Sequence, residues 1–106
     1  MDPAPSQTTF GISDWILPHR DAILAISKKH GAFNIRIFGS VARNQAGSTS
    51  DIDILVDYDL DKITPWFPGG LKRDLQDLLQ RDVDIALADS IHPLLREEII
   101  SEAVSL

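Results

Sequence analysis

The chain has 106 residues and a mass of 11.7 kDa, enough for one domain with one modest core. Sixteen acidic residues against ten basic ones leave a net charge of −6, a field that repels duplex nucleic acid and welcomes divalent cations. Cysteine is absent, which excludes disulfides and thiolate metal sites, and no apolar run approaches the roughly 20 residues that cross a bilayer.

The opening "MDPAPSQTT" has neither the basic flank nor the apolar stretch of a signal peptide, so a cytoplasmic location is expected. Its Pro, Ser and Thr content predicts an unordered segment over residues 1–10, ahead of a single domain over 11–106. A helix is expected within 14–29, where Ile16, Leu17, Ile23, Leu24 and Ser27 share one face. Pro18 fits only a first turn, and Gly31, after Lys28, Lys29 and His30, is a natural stop. "NIRIF" (34–38), "DIDILVD" (51–57) and "VDIALA" (83–88) read as strands. Between the first two, "SVARNQA" (40–46) is long enough for two helical turns. "YDLDKITPWFPGG" (58–70) has no period and carries two prolines and two glycines, so it reads as a loop. "LKRDLQDLLQ" (71–80) places Leu71, Leu75, Leu78 and Leu79 on one helical face. "PLLREEIISEAV" (93–104) opens a helix with Pro93 and offers Leu94, Leu95, Ile99 and Ile100 as its apolar stripe. This alternation predicts an α/β domain built on a small sheet.

The chemistry concentrates in "GSVARNQAGSTSDIDILVD" (39–57). Side chains alternate along a strand, so Asp51 and Asp53 share one face, about 7 Å apart along the backbone, while Ile52 and Ile54 point to the core. Two such carboxylates repel unless a cation neutralises them, and Mg²⁺ takes hard oxygen ligands of this kind together with substrate phosphates. Aspartates on an exposed strand face are common, so the neighbours decide. Gly39 and Ser40 follow the first strand: glycine lets the backbone approach an anion, and a helix start offers free N–H groups. Arg43, one turn later, can supply a fork for phosphate oxygens. A triphosphate seat facing a metal seat is the combined reading. A third carboxylate is wanted for two-metal chemistry; of Asp82 and Asp84 on the third strand, Asp84 inside "VDIAL" is the better placed.

Rival motifs fall away. There is no G-x-x-x-x-G-K-[ST], so no P-loop is present. Ser40 lies in "FGSVA" rather than G-x-S-x-G, with no histidine near it in sequence. "DYDLDK" (57–62) imitates the start of a calcium loop, but Lys62 takes the place of its glycine and Pro68 that of its final glutamate. The histidines, at 19, 30 and 92, lack ligand spacing.

Taken together, Gly39, Ser40, Ala42, Arg43, Ser50, Asp51 and Asp53, with "ILVD" behind them, resemble the signature of the minimal nucleotidyltransferases of the polymerase-beta-like superfamily. Asp84 corresponds to the family's third carboxylate, and the resemblance runs from about residue 14 to the C-terminus. Asn44 stands where the family usually has glycine; asparagine tolerates a left-handed backbone, so the turn is expected to survive.

The resemblance implies a small mixed β-sheet flanked by helices. It also implies two Mg²⁺ ions on Asp51, Asp53 and Asp84, with Gly39, Ser40 and Arg43 holding the phosphates of ATP. An acceptor hydroxyl would attack the α-phosphorus. Small members of the family look like antitoxins that attach AMP to a tyrosine of a HEPN-type toxin, so a protein partner and a hetero-oligomer are expected. Two readings stay open beside it: nucleotidyl transfer to a small molecule, and a non-catalytic antitoxin that acts by occlusion.

Overall fold

A computed structural model describes residues 8–106. The expected unordered segment therefore lies, for residues 1–7, outside the described residues. Phe10 already belongs to the domain: it exchanges backbone hydrogen bonds with Ala46 (2.8 and 3.1 Å) and stacks on Trp15 at 5.0 Å.

The expected first helix is divided. A single turn, α1 (Ile12–Trp15), and a 3₁₀ turn over Leu17–His19 precede the longer α2 (Arg20–Lys29). Pro18 cannot donate to a preceding carbonyl, so it sits at the start of the tight turn and the helix begins after it. Of the predicted face, Ile16, Ile23 and Ser27 are buried, whereas Leu17 is 51 % exposed. Gly31 ends α2 with φ +81°.

Strand β1 (Ala32–Phe38) starts two residues earlier than "NIRIF" suggests. Its register shifts between Phe33 and Arg36, where Asn34 adopts φ +53°. That bulge breaks the alternation from which a strand is read. The turn α3 (Gly39–Ala42) follows, half the predicted length, because Asn44 turns left-handed at φ +59°. Next come β2 (Ile52–Tyr58), α4 (Gly69–Leu79) and β3 (Val83–Leu87). Residues 93–104 do not form one helix: α5 (Pro93–Glu102) stops at Ala103, and β4 (Val104–Ser105) pairs with β1. The tertiary pairing at Arg36 and Ile37 captures a tail whose helical pattern alone would have carried on.

The sheet has the order β3-β2-β1-β4. β2 runs antiparallel to β1 and parallel to β3, so the sheet is mixed as expected. A parallel neighbour needs a long crossover, and α4 supplies it. Ile35, Ile37, Ile52, Ile54, Val56 and Val83 cover one sheet face and pack on Ile23 of α2 and on Leu71, Leu75 and Leu79 of α4. His30 Nε2 and Asp74 Oδ2, 2.7 Å apart, tie the end of α2 to α4. The stripe expected on α5 is not core: Leu94 is 86 % and Leu95 50 % exposed, and no residue of α5 is buried.

Ile54 sits fully buried on the central strand pair, so Ile54→Ala should lower stability by about 2–5 kcal/mol. Leu94→Ala, on the open side of α5, should stay within about 0.5 kcal/mol of wild type. Urea unfolding of the two variants checks both.

Candidate active site

The sheet face opposite the core carries the predicted carboxylates. Asp53 lies between Phe38 of β1 and Asp84 of β3, both as direct cross-strand partners. In-register neighbours on adjacent strands point the same way, with strands about 4.8 Å apart, so Asp53 and Asp84 share this face. Asp51 precedes β2 and is exposed. Its loop is pinned: Ser50 Oγ accepts from Gly47 N (2.8 Å), and Arg81 Nη1 donates to Ser48 O (3.0 Å). Arg81 itself lies 3.6 Å over the Trp15 ring, a cation–π contact that joins the loop to the N-terminal stack. Asp82 stays outside the group; its carbonyl is spent on Ile52 N at 2.9 Å and its side chain is exposed.

Gly39 is required twice over. Its φ is +76°, and a Cβ built there would overlap the Asp53 carboxylate. Sequence reasoning placed Gly39 opposite the metal seat; the fold sets it directly against Asp53. Ser40 is half-buried on the same turn, and Arg43 reaches Gln45 Oε1 at 3.1 Å through Nε. The left-handed turn at Asn44 survives without glycine, its side chain filling the space beside Gly11.

One residue escaped the sequence reading. Glu102, at the end of α5, accepts from Gly39 N through Oε2 and from Arg43 Nη1 through Oε1, both at 2.8 Å. It carries no local motif and sits near other acids, Glu97 and Glu98, on the same helix. Only the pairing of β4 with β1 brings it here.

Burial of the Asp53 carboxyl, with the negative charges of Asp84, Asp51 and Glu102 around it, pushes it up to about 6 against the pull of Arg43. Burial would also raise Glu102, but the Gly39 N–H and the Arg43 guanidinium outweigh it and hold that group below its ordinary value. Among the described residues no three carboxylate or imidazole groups are gathered closely enough to form a metal-ligand cluster. The donor set nonetheless fits Mg²⁺: hard oxygens, on one face, with an ionisation that a cation would relieve.

Residues 19–106 match the nucleotidyltransferase domain family. The chain belongs to that family. It is a nucleotidyltransferase, with a minimal nucleotidyltransferase fold. Among its relatives, "Putative protein adenylyltransferase MJ0435" of Methanocaldococcus jannaschii is 43 % identical over 89 residues, covering 79 % of this chain and 89 % of the relative. "Putative protein adenylyltransferase MJ0128" of the same organism is 32 % identical over 100 residues, covering 92 % and 97 %. A solved structure described as a "putative minimal nucleotidyltransferase" superposes with a TM-score of 0.78 at 36 % identity, over 92 % of this chain and 97 % of that one. A toxin-antitoxin structure with AMP-PNP shares the fold at a TM-score of 0.68 and 23 % identity, over 80 % of this chain and 69 % of its own.

The Asp53 shift makes a prediction with a definite sign. Unfolded, this carboxyl titrates near its ordinary 3.8; folded, it holds its proton up to about 6. It therefore favours the fold fully below about pH 4, and that contribution is lost as pH rises through the folded value. Asp53→Asn cannot ionise, so without divalent cation it should exceed wild type by about 1–2 kcal/mol near neutral pH, allowing for solvent screening. The difference should vanish by about pH 4. Mg²⁺ should narrow the gap near neutral pH, because only wild type offers the ligating charge. Thermal melts at the two pH values, with and without Mg²⁺, measure all three.

Proposed function

We propose that this nucleotidyltransferase moves AMP from ATP to a hydroxyl of a partner protein, a tyrosine of a HEPN-type toxin, and so acts as the antitoxin of the pair. The observation that carries the chemistry is the in-register Asp53–Asp84 pair, with Gly39 set directly against Asp53. Anionic ligands for metal stand beside a backbone donor for phosphate, which is what transfer of a nucleotidyl group needs. The protein acceptor is supported by relatives named as protein adenylyltransferases and by fold neighbours that are toxin-antitoxin structures.

In this reading Gly39, Ser40 and Arg43 hold the β- and γ-phosphates and orient the α-phosphorus toward the acceptor. Asp51, Asp53 and Asp84 would hold two Mg²⁺ ions, which would supply positive charge at the triphosphate and make the acceptor hydroxyl easier to ionise. The acceptor oxygen bonds to the α-phosphorus, the bond from that phosphorus to the bridging oxygen breaks, and pyrophosphate leaves with the electron pair. Asp84, the exposed member of the strand pair, helps take the acceptor proton.

Label should pass to the partner from α-labelled ATP and never from γ-labelled ATP. Asp53→Asn should cut transfer by about 100-fold or more while the partner still binds. A variant that silences its partner as well as wild type does would instead mean neutralisation by occlusion.

The aromatic loop divides between core and surface. Phe67 packs on the core and lies 5.3 Å from the Tyr58 ring, whereas Trp66 is 78 % exposed. A solvent-facing tryptophan is the kind of anchor on which interfaces depend, and truncating one costs about 2 kcal/mol or more of binding. Trp66→Ala should weaken partner binding by that amount with its melting temperature unchanged; Phe67→Ala should lower the melting temperature. Titration calorimetry and thermal melts separate the two.

A further inference from the structure

Two of the three residues proposed to hold the triphosphate, Gly39 and Arg43, already hold a carboxylate. Glu102 lies 63 positions beyond Gly39 in the chain, yet its two oxygens take the Gly39 N–H and the Arg43 Nη1–H, each at 2.8 Å. One carboxylate bridging a backbone amide and a guanidinium reproduces the pattern that two phosphate oxygens would make. The Gly39 N–H, with its one hydrogen, cannot serve Glu102 and a phosphate at once, and while Nη1 of Arg43 is held by Glu102 and Nε by Gln45 the guanidinium meets a phosphate with only part of its fork.

The segment that carries Glu102 is held at few points: Arg96 Nη1 donates to Ala88 O at 2.8 Å and Leu106 packs against the core. No residue of α5 is buried, and both residues of β4 are exposed. β4 meets β1 only at Arg36 and Ile37, with one further bond from Leu106 N to Ile35 O at 3.0 Å. The ion pair itself is partly open to water, with the Arg43 side chain 49 % and that of Glu102 21 % exposed, so solvent screens it. The receiving turn is firmer: Val41, between Gly39 and Arg43, is fully buried. Glu102 can thus depart while its donors stay in place.

We infer that Glu102 is a built-in stand-in for a nucleotide phosphate, closing the Gly39–Arg43 seat in the free protein and swinging out before a triphosphate binds. The inference rests on the reading of Gly39 and Arg43 as the phosphate seat. A triphosphate brings more negative charge to the same donors than one carboxylate does, so exchange runs in its favour. Until then, apparent affinity is reduced by the fraction of molecules whose seat is closed.

Calorimetric titration of Mg-ATP into wild type, Glu102→Gln, Glu102→Ala and Glu98→Gln tests this. Glu98 is exposed on the same helix, so its variant measures the effect of removing one negative charge away from the seat. Both Glu102 variants should bind about three- to tenfold more tightly than wild type, with Glu98→Gln within about twofold. Glutamine keeps the shape of the side chain, so it decides the matter should the alanine variant lose its fold by circular dichroism. If wild type binds and the Glu102 variants bind no tighter than Glu98→Gln, or more weakly, Glu102 is a strut or a positioning residue for Arg43 and the inference is wrong. If wild type and every folded variant fail to bind, the phosphate seat itself is misassigned and the inference falls with it.

Discussion

The negative charge of Asp53 cannot be relieved by the protein alone. It sits half-buried on the central strand, with Asp84 in register on one side, Asp51 two residues before it and Glu102 nearby. Among the described residues Arg43 is the one cation that acts appreciably on it, and that guanidinium is engaged by Glu102. Much of the local design follows. Position 39 must lack a side chain to fit against the carboxylate. The other side of β2 must be wholly apolar to hold the strand in place, as Ile52, Ile54 and Val56 do. An arrangement that raises the energy of the metal-free protein is reasonable where binding a cation is the purpose, since binding then recovers what folding gave up.

The two faces of the sheet divide the work. One is closed by α2 and α4 over a continuous aliphatic core; the other bears Asp53, half-buried, and Asp84, exposed, with Leu55 buried on the same side of β2. Parallel pairing of β2 with β3 is what sets Asp84 beside Asp53, and it depends on α4 as the crossover. The loop that delivers Asp51 is irregular but not free. Phe10, Trp15 and Arg81 brace it from behind, so residues far from the chemistry fix the approach of a proposed metal ligand.

Surface apolar residues are distributed unevenly. Trp66 and Leu60 project from the loop after β2, and Leu94, Leu95 and Ile100 from α5. Isolated exposed apolar residues are ordinary. An aromatic anchor on a proline- and glycine-bounded loop next to the carboxylate strand is more specific, and it marks the surface on which the proposed partner would dock.

Much was legible in the sequence because it depended on local pattern. Alternation along "DIDILVD" assigned Ile52 and Ile54 to the core and the aspartates to the other face; leucine spacing located α4; "GSVAR" and "SDID" together named the family. Boundaries set by non-local contacts were not legible. The β1 bulge at Asn34, the one-turn length of α3 and the placement of Val104 in a strand instead of the expected helix each follow from a partner strand or a left-handed residue. The stripe on α5 is sound periodicity, but periodicity does not say whether anything packs against it. Glu102 is the clearest case. A glutamate at a helix end has no meaning until the chain returns it to Gly39 and Arg43, and hydrogen bonds across 63 and 59 positions are decided by tertiary structure alone.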